Sequence, residues 1–160
     1  MSETIRAAEP GDVGAMLALM RELAEFEKLT HLFVATEGTL REALFGSRPA
    51  AEALVAERDG QIVGYALFFH NFSTFLSRRG LYLEDLYVQP ALRGSGLGTA
   101  LLQRVAAIAV ERRCGRFEWS VLDWNQRAID FYTKLGATVL PDWRIVRVTD
   151  DALLQLAQSE

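Results

Sequence analysis

Arg93-Gly94-Ser95-Gly96-Leu97-Gly98-Thr99 lies between two apolar patterns of different period. Ahead of it runs Leu81-Tyr82-Leu83-Glu84-Asp85-Leu86-Tyr87-Val88, a strand pattern stopped by Pro90. Behind it Leu101, Leu102, Val105, Ile108 and Ala109 recur at helical spacing toward Arg113. A strand that turns through glycines into a helix leaves several N–H groups without backbone acceptors, at the positive end of the helix dipole. Glycine lets a phosphate come close to that backbone, so the segment predicts a loop holding a phosphorylated cofactor. A glycine turn made only for tight packing is the alternative. No lysine falls between Gly94 and Arg104, which excludes a Walker loop, and Thr99 stands where a dinucleotide fingerprint needs its third glycine. Arg93, Gly96 and Gly98 remain, as Arg-x-x-Gly-x-Gly.

The rest of the chain supplies the frame. Ile5–Ala8 reads as a first strand, closed by Pro10-Gly11-Asp12. Val13, Met16, Leu17, Met20, Leu23 and Ala24 mark one face of a helix, and a shorter helix begins near Thr36. Ala53–Arg58 and Gln61–Phe69 are strands joined by Asp59-Gly60, a two-residue hairpin signal, and Leu81–Val88 completes the meander. The helix after the glycine loop should end near Arg113, with Gly115 as its breaker. Arg116–Leu122 then reads as a strand, Gln126–Leu135 as a helix closed by Gly136, and Trp143–Val148 as a final strand. A tail helix spans Asp151–Ala157. The order predicts one α/β domain over residues 1–160. Its sheet is mixed, mostly antiparallel and twisted, with flanking helices and one βαβ crossover whose helix carries the glycine loop.

Composition narrows the partners. The chain has 160 residues, 50% of them hydrophobic, and a formal net charge of −4. An acidic chain without a dense basic stripe is a poor nucleic-acid binder and a better host for cationic small molecules. No apolar run reaches the roughly 20 residues of a membrane helix, so no membrane partner is expected. The single Cys114 and the polar start predict a cytoplasmic protein without a secretory leader. Two histidines and one cysteine are too few for a typical zinc site, so no metal is expected. Cys114 ends an apolar helix, where the dipole does not activate a thiol, and reads as packing.

Tyr82–Val88, the glycine loop, and Val121-Leu122-Asp123-Trp124-Asn125-Gln126-Arg127-Ala128-Ile129-Asp130-Phe131-Tyr132 together resemble the GNAT superfamily of acyl-CoA N-acyltransferases. Within it they resemble the diamine acetyltransferase family, which includes the spermidine/spermine and thialysine branches. Arg21-Glu22-Leu23-Ala24-Glu25-Phe26-Glu27-Lys28-Leu29 is similar to the thialysine branch. The resemblance covers about residues 5–148 and implies acetyl-CoA as cofactor, a small cationic amine as acceptor, and a homodimer. It implies that Tyr132 protonates the departing thiolate and that Glu84 acts on the amine, directly or through water. Leu86, Tyr87, Val88, Arg93, Gly94, Ser95, Gly96, Leu97, Gly98, Thr99, Asn125, Arg127 and Ala128 would hold the cofactor. Phe26, Glu27, Glu84, Glu118, Trp119 and Asp142 would meet the amine.

The residues themselves add to this. Asn125 and Tyr132 lie about two helical turns apart and share a face. A phenol is protonated at neutral pH and can donate to a thiolate, although packing on the sheet is the commoner fate of an aromatic. Strand alternation puts Glu84, Leu86 and Val88 on one face and Asp85 and Tyr87 on the other. Glu84 would then sit among apolar residues, its neutral form favoured until a cationic amine arrives, or else form an ion pair with an arginine. Thr30-His31 stands where the spermidine/spermine branch carries two glutamates, which favours a shorter, lysine-like amine. Pro141 precedes Asp142-Trp143 in a loop shorter than is usual there. Two other readings stand beside this one: a protein lysine or N-terminal acetyltransferase, and a catalytically silent acyl-CoA sensor.

Overall fold

A computed structural model describes residues 2–158, and the chain forms two compact units that divide after Ser120. The larger contains β1 (Glu3–Ala7), α1 (Val13–Phe26), α2 (Glu37–Phe45), β2 (Glu52–Arg58), β3 (Gln61–Ser73), β4 (Arg78–Val88), α3 (Leu97–Glu111) and β5 (Phe117–Trp119). Its sheet has the order β1-β2-β3-β4-β5. The first three pairings are antiparallel and β4–β5 is parallel, as the crossover through α3 requires. Asp59 and Gly60 turn the β2–β3 hairpin with φ of 51° and 81°, the two positive values a type I′ turn needs.

Both faces of the sheet are covered. On one, Val13, Met16, Leu17 and Met20 of α1 and Leu40 and Leu44 of α2 bury Ala53, Val55, Tyr65 and Tyr87. On the other, Leu97, Leu101, Leu102, Val105 and Ala109 form the buried face of α3, which packs chiefly on β3 and β4. There a Cβ on Gly64 would meet the Tyr87 carbonyl oxygen at 2.9 Å and Leu101 Cδ1 at 3.4 Å. Thr36 caps α2, its Oγ1 accepting from the Thr39 amide at 3.1 Å.

Helix α3 ends differently from the sequence expectation. The left-handed residue is Arg113 (φ 59°), and the Cys114 amide reaches back to the Ala109 carbonyl at 2.9 Å. Gly115 lies close to the β3–β4 turn, where a Cβ would stand 2.8 Å from the end of the exposed Leu76 side chain. The strand expected over Arg116–Leu122 is limited to Phe117–Trp119.

At the other end of the sheet, Asp12 takes a bidentate pair from Arg6, with N···O distances of 2.8 and 3.0 Å, and accepts from the Glu9 amide at 2.8 Å. The guanidinium beside it holds the Asp12 carboxyl below the usual range, so this stabilisation is present at neutral pH and is lost as pH falls through the depressed value. Asp12→Asn is therefore expected to cost about 1–2 kcal/mol at pH 7 in urea melts. The difference from the parent should shrink as pH drops below about 4.

The smaller unit contains α4 (Gln126–Lys134) and α5 (Asp150–Gln158). Asn125 caps α4, its Oδ1 accepting from the Ala128 amide at 3.2 Å, and Gly136 follows the helix with φ 97°. Trp143–Val148 is not a strand, contrary to the sequence expectation. Its β-branched and aromatic residues suit a strand, but a strand forms only against a partner ladder, and the described residues of this unit contain none. Among the described residues no helix is long and apolar enough to cross a membrane.

Candidate active site

The glycine loop leaves β4 through a 3-10 turn over Pro90–Leu92 and enters α3 with Gly96 as N-cap. Gly94 and Gly96 have φ of 82° and 90°, in the left-handed region that excludes most side chains. A Cβ at either would meet nothing within 4 Å, and one at Gly98 would meet only Val88 Cγ2 at 3.9 Å. The glycines are thus not there for tight packing; their backbone borders open space. No side chain of the Gly96 N-cap satisfies the first turn, where Gly98 and Thr99 carry N–H groups that a helix leaves unpaired. Ser95 Oγ lies 3.4 Å from the Leu97 amide. This surface fits a pyrophosphate: amide donors, a helix N-terminus, and Arg93 beside them.

The side chains before the loop serve the scaffold. Tyr87 is buried and donates to Glu22 Oε1 at 2.9 Å; burial pushes its phenol up to about 12. Val88 packs toward Gly64 and Gly98. What this stretch offers a ligand is its backbone. β5 pairs with β4 only at Leu81–Leu83, so the side of Glu84–Val88 facing away from β3 has no strand partner among the described residues.

That pairing ends at a β-bulge. Leu67 of β3 faces Asp85 and Phe68 faces Leu83, leaving Glu84 as the extra residue. Simple alternation therefore fails here. Leu83 shares the α3 side of the sheet with Phe68, whereas Asp85 lies with Leu67, Tyr65 and Tyr87 on the α1 side. Glu84 is exposed, and the carboxylate in the enclosed position is Asp85. Asp85 accepts a hydrogen bond from the Tyr65 hydroxyl at 2.9 Å, and burial pushes its carboxyl up, with a smaller push from Glu84. Glu27, half-buried at the C-cap of α1, is also raised, first by burial and then by the charges of Asp85 and Glu84. Lys28, with φ 61°, turns the chain just after it. Asp85 and Tyr65 escaped the sequence reading. Period-two alternation correctly put Asp85 with Tyr87, but it set Glu84 on the Leu86–Val88 face, where the bulge leaves it exposed instead.

Arg93 links the two clusters: its guanidinium carbon stands 5.2 Å from the centre of the Phe26 ring, next to Glu27. Phe26, Glu27, Glu84 and the glycine loop thus come together. Glu118 and Trp119 separate. Glu118 pairs in register with Tyr82 on the α1 side and accepts from Asn71 Nδ2 at 3.5 Å. Trp119 lies level with Leu83 on the α3 side, its ring 4.9 Å from that of Phe117.

In the smaller unit, Asn125, Arg127, Ala128 and Tyr132 all belong to α4 or its cap. Tyr132 is half-buried, with its ring centre 5.4 Å from that of Phe131. Asp142 is exposed in the turn before Trp143.

The profile of the acetyltransferase (GNAT) family matches residues 16–137. The chain belongs to this family and is an N-acetyltransferase. It falls in the diamine acetyltransferase branch: it is 40% identical to the thialysine N-epsilon-acetyltransferase of Sus scrofa, with 98% of each chain covered. It is also 36% identical to an L-ornithine N5-acetyltransferase of Arabidopsis thaliana, covering 96% of this chain and 87% of that one. Among solved structures, an integron cassette protein from Vibrio cholerae shares the fold, with a TM-score of 0.82 at 24% identity over 99% of each chain.

Proposed function

We propose that this chain transfers the acetyl group of acetyl-CoA to a primary amine of a small, lysine-like cationic substrate, by direct attack in a ternary complex. One observation carries the reading: Asp85, Glu27 and Glu84 converge near the glycine loop, the first two partly buried at a cost in charge that a cationic amine would offset. The names of the thialysine and ornithine relatives support an amino-acid side chain as acceptor. Thr30 and His31, in place of two anions, favour a shorter amine over a polyamine.

Bound acetyl-CoA supplies an acyl thioester whose sulfur must leave with a proton. Arg93 and the backbone of Gly94–Thr99 hold the phosphates, and the open backbone of Leu86–Val88 orients the chain leading to the thioester. Asn125, Arg127 and Ala128 line the cofactor. By the family resemblance, Phe26, Glu27, Glu84, Glu118, Trp119 and Asp142 would receive the amine. Glu84 accepts the ammonium proton at a carboxylate oxygen, directly or through water, freeing the nitrogen lone pair for attack. As the C–N bond forms and the C–S bond breaks, Tyr132 Oη would give its proton to the departing sulfur, and the proton shed by the acylated nitrogen would restore the phenol.

The family match runs across the division at Ser120, which supports both units as one acetyltransferase domain. A cytoplasmic homodimer completes the proposal. Initial velocities measured over a grid of acetyl-CoA and amine concentrations should give intersecting reciprocal plots. Parallel plots would mean an acyl-enzyme intermediate and would refute direct attack.

A further inference from the structure

We propose that Tyr65 is a positioning residue of the amine site: its buried hydroxyl fixes the Asp85 carboxylate as the anionic wall that receives the cationic substrate. The inference rests on the amine-acetylation reading above. Tyr65 is fully buried, in a face whose neighbours are Val13, Met16, Ala53 and Val55. A phenylalanine would fill such a position at lower cost, because a buried hydroxyl must find a partner. The partner it finds is Asp85 Oδ2 at 2.9 Å, in a partly buried position. Two polar groups placed in an apolar layer contribute little net stability, so their use lies in orientation and charge.

The groups around the pair give it that use. Glu27 approaches from the end of α1, Glu84 and Tyr87 from β4, and Tyr87 in turn faces Glu22, Glu25 and Arg93. Among the described residues, the groups acting on Asp85 include the carboxyls of Glu84 and Glu27 and the phenol of Tyr65. Burial and Glu84 favour its neutral form; the Tyr65 hydrogen bond is the contact that favours the anion. Glu84 sits at the bulge with an exposed side chain, suited to moving a proton. Asp85, tied down from behind, is suited to holding a charge still.

Tyr65→Phe removes one oxygen and keeps the ring. Without the hydrogen bond, Asp85 should titrate about one pH unit higher, read by carbon-13 NMR of its carboxyl. The KM for thialysine should rise about tenfold on the acid side of the profile and approach the parent value at higher pH. At saturating thialysine, kcat and the Kd for CoA should stay within about twofold of the parent. Asp85→Asn, which keeps an acceptor for Tyr65, should raise KM at every pH, and adding Tyr65→Phe to it should change KM little further. An unmoved Asp85 titration would overturn the proposal, as would a shifted titration with an unchanged KM. Should the parent turn over no amine at all, the function proposed above fails, and the titration alone still decides whether Tyr65 sets the state of Asp85.

Discussion

Replacing Tyr132 by phenylalanine should lower kcat by about 10²- to 10⁴-fold, the range a positioned general acid supplies. The affinity for CoA should change by no more than about twofold. A thiolate leaving an acyl centre is a poor departing group unless it gains a proton, and a phenol remains protonated at neutral pH. Phenylalanine keeps the ring, and with it the packing against Phe131, whose centre is 5.4 Å away. The α4 cap at Asn125 is untouched by the change. Binding and catalysis should therefore separate cleanly when calorimetry with CoA is set beside turnover at saturating substrates. Parent-like kcat across the pH range would remove Tyr132 from the reaction.

The second large effect concerns Gly96. Its φ of 90° is one that a β-branched residue adopts only under strain, on the order of 1–3 kcal/mol. A Cβ there has room, since nothing lies within 4 Å of it. Gly96→Val should therefore leave the core intact and act on the loop. The backbone either keeps its shape under strain or relaxes and turns its amides away, and the new side chain occupies space the phosphates need in either case. The Kd for CoA should rise about 100-fold, roughly 2.7 kcal/mol, with far-ultraviolet circular dichroism unchanged. Unaltered CoA affinity would place the phosphates somewhere other than this loop.

Most of the architecture was legible because it rests on local signals. Asp59-Gly60 marks a hairpin turn with its own chemistry, and the apolar spacing of α1 and α3 is unambiguous. The glycine loop declares itself by what it lacks. Residues whose place depends on tertiary pairing were harder to read. The Glu84 bulge cannot be seen in one strand, because it is a mismatch between β3 and β4; the extra residue leaves Glu84 exposed while Asp85 keeps its place beside Tyr87. Trp143–Val148 has the composition of a strand, but the described residues of its unit offer no ladder to join. Glu118 and Trp119 are neighbours in sequence, and on a strand neighbours face opposite ways. Arg113 took the left-handed position expected of a glycine, while Gly115 lies against a hairpin far from it in sequence.

The central claim is a chemical one, and thiol release measures it most directly. The purified protein with acetyl-CoA is offered thialysine, ornithine, lysine, diamines, spermidine, spermine and lysine peptides in turn, and the release of free CoA is followed. The account predicts the highest kcat/KM with a lysine-like amino acid, weaker use of long polyamines, and none of the peptides. Tight CoA binding without release on any small amine, or preferred release with peptides, would contradict it.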